Sequence, residues 1–196
     1  MKTMRDRLGK PLVFLLAALP LADGVWRVMS GTRLGGNPVE TLEHLSGQWA
    51  LYLLAITLSL TPMRVLLGWR WQLRLRRMLG LYAAFYALIH VVCYLWLDLG
   101  FAWDEVWTEL IGRPTITVGA LAALGLLVLS LTSPKVAVRR LGKRWAPLHR
   151  VVYLVAVLAV VHVAWKGKDG AEDALLYGVI LIALLVPRFA QILKAR

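Results

Sequence analysis

The sequence has a single cysteine, Cys93, among 196 residues. That count excludes an intrachain disulfide, a cysteine-rich zinc site, a four-cysteine iron–sulfur site and the C-x-x-C-H attachment of a c-type haem. It contains no G-x-G-x-x-G, no G-x-x-x-x-G-K-[ST], and no stretch long enough for a soluble nucleotide-binding domain. Acids are scarce too: 11 Asp and Glu stand against 23 Lys and Arg, for a net charge of +12. Yet 59% of the residues are apolar and the mean hydropathy is +0.65. A soluble protein does not combine such an apolar fraction with such a charge unless the two are separated along the chain. Here they are separated, and the fold class that follows is an all-α integral membrane protein.

Charge-poor runs mark the spans. Residues 47–63 and 114–134 carry no charge, and 78–97 carry none apart from His90. The run 151–165 is extended backwards by Pro147, Leu148 and His149, and 174–187 is extended forwards because Arg188 and Lys194 can snorkel from a helix end. In hydrocarbon, unpaired backbone groups leave the helix as the spanning structure for such runs. The first apolar run, Pro11 to Ala22, follows a basic start and has the outline of a signal peptide. A retained helix reaching Met29 is the better reading. Asp23 and Arg27 stand four apart in the favourable order, and Leu19 occupies the place where a cleavage site wants a small residue. The expectation is one transmembrane domain, 1–196, of six helices at about 11–29, 47–67, 78–98, 114–134, 147–166 and 173–193.

The connections sort by sign. The N-terminus, the 64–77 and 135–150 connections and the C-terminus together hold 18 of the 23 basic residues. The other side holds Arg27, Arg33, Arg113, Lys166 and Lys168, with ten of the eleven acids. The positive-inside rule then places both termini in the cytoplasm, which needs an even number of helices. All nine tryptophans fall at or near span ends, as aromatic belts do. The basic residues are loop-end topogenic signals spread over four segments, so the charge does not indicate nucleic-acid binding.

Of the four histidines, His44 lies in an expected outer loop. The other three are in or beside spans, where ionisable groups are expensive and usually functional. His90 lies roughly 16 Å along helix 3, His162 roughly 22 Å along helix 5, and His149 only about 3 Å in. Tilt can absorb the 6 Å difference between the deeper two. Two neutral imidazoles at matching depth on separate helices suit bis-histidine haem ligation. Buried histidines bonded to carbonyls, or a proton relay in a transporter, are the alternatives. His149 is too shallow for the same iron. It would ligate a second haem, receive a propionate, or line a quinone or flavin pocket. Around a regular helix it stands roughly 140° from His162. Arg76, Arg77 and Arg150 suit propionates or a flavin or quinone head group, and topogenic charge explains them equally well. Tyr82, Tyr86, His90 and Tyr94 form a stripe at every fourth residue.

Four segments carry a family resemblance: SGQWALYLLAITLSLTPMR (46–64), RRMLGLYAAFYALIH (76–90), GRPTITVG (112–119) and RLGKRWAPLHRVVYLVAVLAVVH (140–162). In order and spacing they resemble the MsrQ (YedZ-like) family, the haem-binding membrane subunits of bacterial protein-methionine-sulfoxide reductase systems, within the ferric-reductase-like transmembrane superfamily. The resemblance implies a six-helix haem-binding bundle in the inner membrane of a Gram-negative bacterium. It implies haem b, one or two, and FMN as cofactors, with haem-ligand histidines mapping onto His90, His149 and His162. It also implies electron transfer from the quinone pool or a cytosolic flavin reductase to a periplasmic molybdopterin subunit that reduces methionine sulfoxide in oxidised proteins. The chain would then be an electron-transfer subunit with no catalytic residues of its own. Larger relatives carry a cytosolic flavin and nucleotide domain and two histidines in helix 3. This sequence has no such domain and His90 alone in that helix, so the haem count stays open. A partnerless ferric or metal reductase and a small histidine-containing transporter are the competing functions.

The charge asymmetry generates the first test. A reporter active only in the periplasm, fused after Arg196, is expected to be silent, and a cytoplasmic reporter at the same point active. The reverse pattern would overturn the orientation.

Overall fold

The structure is a computed structural model that describes residues 4–31 (side chains from Gly9), 36–68, 71–166, 175–184 and 186. Its described helices are α1 Met4–Met29, α2 Pro38–Leu67, α3 Arg76–Cys93, α4 Trp103–Gly112, α5 Pro114–Leu131, α6 Lys135–Leu141, α7 Trp145–Arg150, α8 Val152–Ala164 and α9 Leu175–Leu184. Short 3₁₀ turns stand at Trp71–Arg74 and Gly142–Arg144, and a π-helical turn at Tyr94–Asp98 continues α3. Among the described residues there is no strand.

Among the described residues five helical stretches are long and apolar enough to cross a membrane: Gly9–Met29, Pro38–Leu67, Arg76–Asp98, Pro114–Leu131 and Lys135–Ala164. The helix expected over 173–193 is described as the shorter apolar α9, and its remainder lies outside the described residues. So do Lys2, Arg33, Arg70, Lys168, Arg188, Lys194 and Arg196, on which part of the charge count rests.

Two connections expected as loops are helical. α4 occupies the acidic segment before Arg113, where Asp104 and Glu105 suit the positive end of a helix. Trp103, Trp107 and Ile111 recur along one exposed side of it, and the Arg113–Glu109 ion pair of 2.9 Å spans its last turn. The basic 135–150 segment forms α6, a turn at Gly142 (φ 50°) and α7, so the fifth stretch is interrupted at Gly142. α2 begins nine residues earlier than expected. Asn37 caps it, accepting from the amides of Val39 and Glu40, and Pro38 supplies a preset first turn. His44 therefore stands on α2, exposed, and not in a loop.

The chain divides into two compact units, Met1–Gly100 and Phe101–Arg196. In the first, α2 packs along α3, and α1 touches both. α2 is its most buried span, 44% against 17% for each of the other two. Ala50, Leu53, Leu54, Leu58 and Leu60 line its inner side with Leu79, Ala83 and Tyr86 of α3. In the second unit α5 packs along α8, with α4 on α5. Gly125 is the point of closest approach there, because any Cβ would collide with Val155, which is 1% exposed.

α1 is held by tyrosines of α3. Pro20 removes an amide from the α1 ladder, and next to it the Tyr86 hydroxyl is inserted: it donates to the Ala17 carbonyl at 2.8 Å and accepts from the Leu21 amide at 3.1 Å. Tyr82 donates to the Phe14 carbonyl at 3.1 Å, and its ring meets Phe14 edge-on. Half of the tyrosine stripe thus serves packing. Tyr86→Phe removes the bridge and is expected to destabilise the chain by about 1–2 kcal/mol, read as a lower unfolding midpoint in detergent. An unchanged midpoint would show that the α1 ladder closes without the hydroxyl.

Candidate functional site

The intramembrane histidines are the site candidates, and each is held within its own unit. His90, half-buried on α3, donates from Nδ1 to the backbone carbonyl of Glu43 on α2 at 2.9 Å. Its ring lies over Gly47, one helical turn further along α2, where a Cβ would stand 3.1 Å from Nδ1. The geometry has a local cause. Cα–Cβ bonds in a helix tilt toward its N-terminus, so the side chain at i+4 overhangs the carbonyl at i. A glycine there leaves that carbonyl open to a donor from a neighbouring helix. Ser46, buried beside it, donates to the carbonyls of Leu42 at 2.7 Å and Glu43 at 3.0 Å.

His162 on α8 repeats the arrangement. Its Nδ1 donates to the backbone carbonyl of Thr115 on α5 at 2.8 Å. Its ring lies over Gly119, where a Cβ would stand 2.6 Å from Nδ1. Carbonyl, glycine and histidine sit at 43, 47 and 90 in the first unit and at 115, 119 and 162 in the second, a constant offset of 72. Thr115 also ties α5 to the end of α8, its hydroxyl donating to the Trp165 carbonyl at 3.4 Å. Thr117 donates to the Leu110 carbonyl of α4.

A carbonyl can only accept, so in both rings Nδ1 carries the proton and, in the neutral imidazole, Nε2 carries the lone pair. His149 on α7 has the other polarity. Its Nε2 stands 3.1 Å from the hydroxyl of Thr132, the residue that caps α5. That hydroxyl also lies 2.7 Å from the Val128 carbonyl; with its proton there, it accepts from His149. Trp145, four residues before, stacks on the ring at 4.2 Å between centroids and donates to the Thr132 carbonyl at 3.0 Å. Both His149 and His162 bond to α5, at opposite ends of it. Val151, between α7 and α8, keeps right-handed helical angles (φ −58°, ψ −19°), so the roughly 140° separation expected around a regular helix is altered there by one tightened turn and not removed.

The family of ferric reductase like transmembrane components matches residues 46–160. Proteins called protein-methionine-sulfoxide reductase heme-binding subunit MsrQ are similar over most of the chain. The one from Rhodospirillum rubrum is 43% identical over 98% of this chain and 92% of its own length. That of Azospira oryzae is 48% identical over 89% and 74%, and that of Herminiimonas arsenicoxydans 42% over 91% and 83%. The chain belongs to the MsrQ family. No solved structure matches it. With a transmembrane family and five apolar spans, this MsrQ-family chain is a multi-pass membrane protein.

Arg76 and Arg77 are exposed at the start of α3 and Arg150 is exposed at the end of α7. The first two stand at the positive end of a helix dipole, where cations are disfavoured. Among the described residues no three His, Cys, Asp or Glu side chains gather to hold a bare metal ion. Residue-type reasoning missed the partners: the Glu43 and Thr115 carbonyls, Gly47, Gly119, Thr132 and Trp145. A signal for the first four was present, since the same spacing separates glycine and histidine twice. In the ¹⁵N-histidine-labelled protein without cofactor, long-range ¹⁵N–¹H spectra should show His90 and His162 protonated at Nδ1 and His149 at Nε2. Nε2–H tautomers at His90 and His162 would overturn the assignment.

Proposed function

We propose that this chain is the haem-binding membrane subunit of a protein-methionine-sulfoxide reductase system. It takes electrons from a quinone or a reduced flavin on the inner side of a bacterial inner membrane. It passes them to a periplasmic molybdopterin subunit that reduces methionine sulfoxide in oxidised proteins. The observation that carries this reading is the pair of intramembrane imidazoles whose Nδ1–H groups are held by carbonyls, so that Nε2 is the basic nitrogen of each.

That donor chemistry fits haem b. Neutral imidazoles with a fixed Nδ1–H and a basic Nε2 are suited to axial ligation, and a hydrogen bond at the second nitrogen raises ligand basicity. His90 and His162 would hold the iron. His149, with Nε2 turned to Thr132, is the less suited ligand and better placed to meet a propionate or the head group of a donor, with Arg150 next to it. Arg76 and Arg77 offer cations for the same purpose at the start of α3. Bound haem supplies a one-electron ferric/ferrous couple inside the membrane, beyond the reach of any side chain in this sequence.

The protein's own work is to hold that couple and to set its depth. With both termini cytoplasmic, His90 and His162 lie in the outer halves of α3 and α8, and their partners Glu43 and Thr115 lie near the outer ends of α2 and α5. The arrangement shortens the last step to an external acceptor. The names of the relatives support the assignment to this reductase system. FMN follows from the family resemblance alone, and no described residue is assigned to it.

The purified protein should show the Soret band of a low-spin bis-histidine haem. His90→Ala and His162→Ala should each abolish or severely reduce it, while His149→Ala keeps it. Reduced protein mixed with the molybdopterin subunit should be reoxidised only when methionine sulfoxide is added. Unchanged spectra in both His90→Ala and His162→Ala would overturn the ligand set, and a haem that stays reduced with subunit and sulfoxide present would overturn the donor role.

A further inference from the structure

Gly47 and Gly119 lie outside the expected ligand set, yet the structure places each against the ring of an intramembrane histidine. We infer that the two glycines are positioning residues: each opens the carbonyl four residues before it, so that His90 and His162 dock through Nδ1 and present Nε2 as the iron-binding nitrogen. The inference rests on the haem reading above.

Three observations converge. First, the space is taken. A Cβ at position 119 would meet His162 at 2.6 Å from Nδ1 and 2.7 Å from Cε1, and one at 47 would meet His90 at 3.1 Å and 3.3 Å. Both contacts fall on the ring edge that carries the Nδ1 hydrogen bond. Second, both glycines have ordinary helical backbones, so a left-handed conformation does not explain them. In a helix interior glycine is a poorer former than alanine, and without a reason to exclude a methyl group alanine would stabilise both helices. Third, the device occurs twice, at one offset, on the two histidines whose Nδ1 faces a carbonyl. His149, bonded through Nε2 to a hydroxyl, lacks it.

The chemical consequence is specific. An Nδ1–H bonded to a carbonyl makes the imidazole a stronger electron donor and locks its plane. A methyl group at the glycine pushes the ring off the carbonyl, weakens that bond and lets the ring turn. The ligand then donates less, which favours ferrous over ferric iron and raises the midpoint potential. Tight contact at 119 predicts a larger effect than the looser one at 47.

The test uses the full chain in detergent or nanodiscs, with haem content, low-spin EPR and a redox titration as readouts, none of which depends on turnover. Gly178→Ala is the control, because a Cβ there would only touch Val160 at 4.0 Å. Gly119→Ala is expected to lower haem affinity about 10–100-fold, the range for loss of an outer-shell partner. Gly47→Ala is expected to keep haem, with a shifted low-spin EPR signal and a higher midpoint potential. Gly178→Ala should match the wild type in all three.

If Gly119→Ala does not accumulate as a folded protein, Gly47→Ala decides: a raised potential supports the inference and an unchanged potential with an unchanged EPR signal overturns it. Gly119→Ala with wild-type haem content, EPR signal and potential would also overturn it. A wild-type protein without a Soret band would remove the haem reading and this inference together. A wild-type band with silent variants removes the inference alone.

Discussion

A membrane interior offers no water to an imidazole N–H, and this one constraint organises both helix pairs. The proton on each deep ring must find an acceptor on the protein, and in an all-helical span most backbone carbonyls are already shielded by the ladder and by the side chain one turn on. Glu43 and Thr115 are accessible because glycine follows four residues later. Once the ring is seated, its tautomer, its plane and its depth are set together. The α2/α3 and α5/α8 contacts must then be close enough for an N–H···O bond of 2.8–2.9 Å between neighbouring helices, which requires small residues along each seam.

The rest of each unit can be read as support for that seam. In the first, Tyr86 bonds into the α1 ladder and Ala83 is fully buried, so α3 is fixed on both sides of its inner face. In the second, α4 braces the start of α5 through Thr117 and Leu110, two residues from the carbonyl that holds His162. Thr115 reaches across to the end of α8. At the other end of α5, Thr132 and Trp145 fix His149. That histidine is clamped by a hydroxyl and an indole and not over a glycine.

Much of this was legible in the sequence. Charge-poor runs give the long spans because hydrophobic length is a property of composition alone, and ionisable residues inside such runs stand out for the same reason. His90, His149 and His162 are visible on that ground. What surrounds them is not. A backbone carbonyl has no residue type, so Glu43 and Thr115 cannot be singled out as acceptors by their side chains. α4 escapes a search for spans because ten amphipathic residues with three acids fall below the length and hydropathy of a span. The early start of α2 turns on Asn37 and Pro38, a capping signal that a search for apolar runs passes over. The basic 135–150 segment is helical for a similar reason: topogenic charge and helix propensity coexist in Lys and Arg.

The two pairs follow one plan but fill it differently, and the difference bears on how firmly each ring is held. At the offset of 72, Gly125 and Val155 correspond to Leu53 and Ala83. In α5/α8 the small residue is on the first helix and the large one on the second; in α2/α3 the sizes are exchanged. All three side chains are almost wholly buried, at 1% for Val155, 3% for Leu53 and 0% for Ala83. Gly125 and Val155 bring three side-chain carbons to these positions and Leu53 and Ala83 bring five, so both the helix that contributes the knob and the volume it fills differ. Where α5 itself lacks a side chain at the seam, α8 can approach more closely, and the ring of His162 stands nearer to its glycine than that of His90 does to its own. In α2/α3 the buried Leu53 stands on the first helix, and Ser46 adds a hydroxyl beside the Glu43 carbonyl. The same hydrogen bond is therefore enforced by close packing in one pair and by packing plus a polar neighbour in the other.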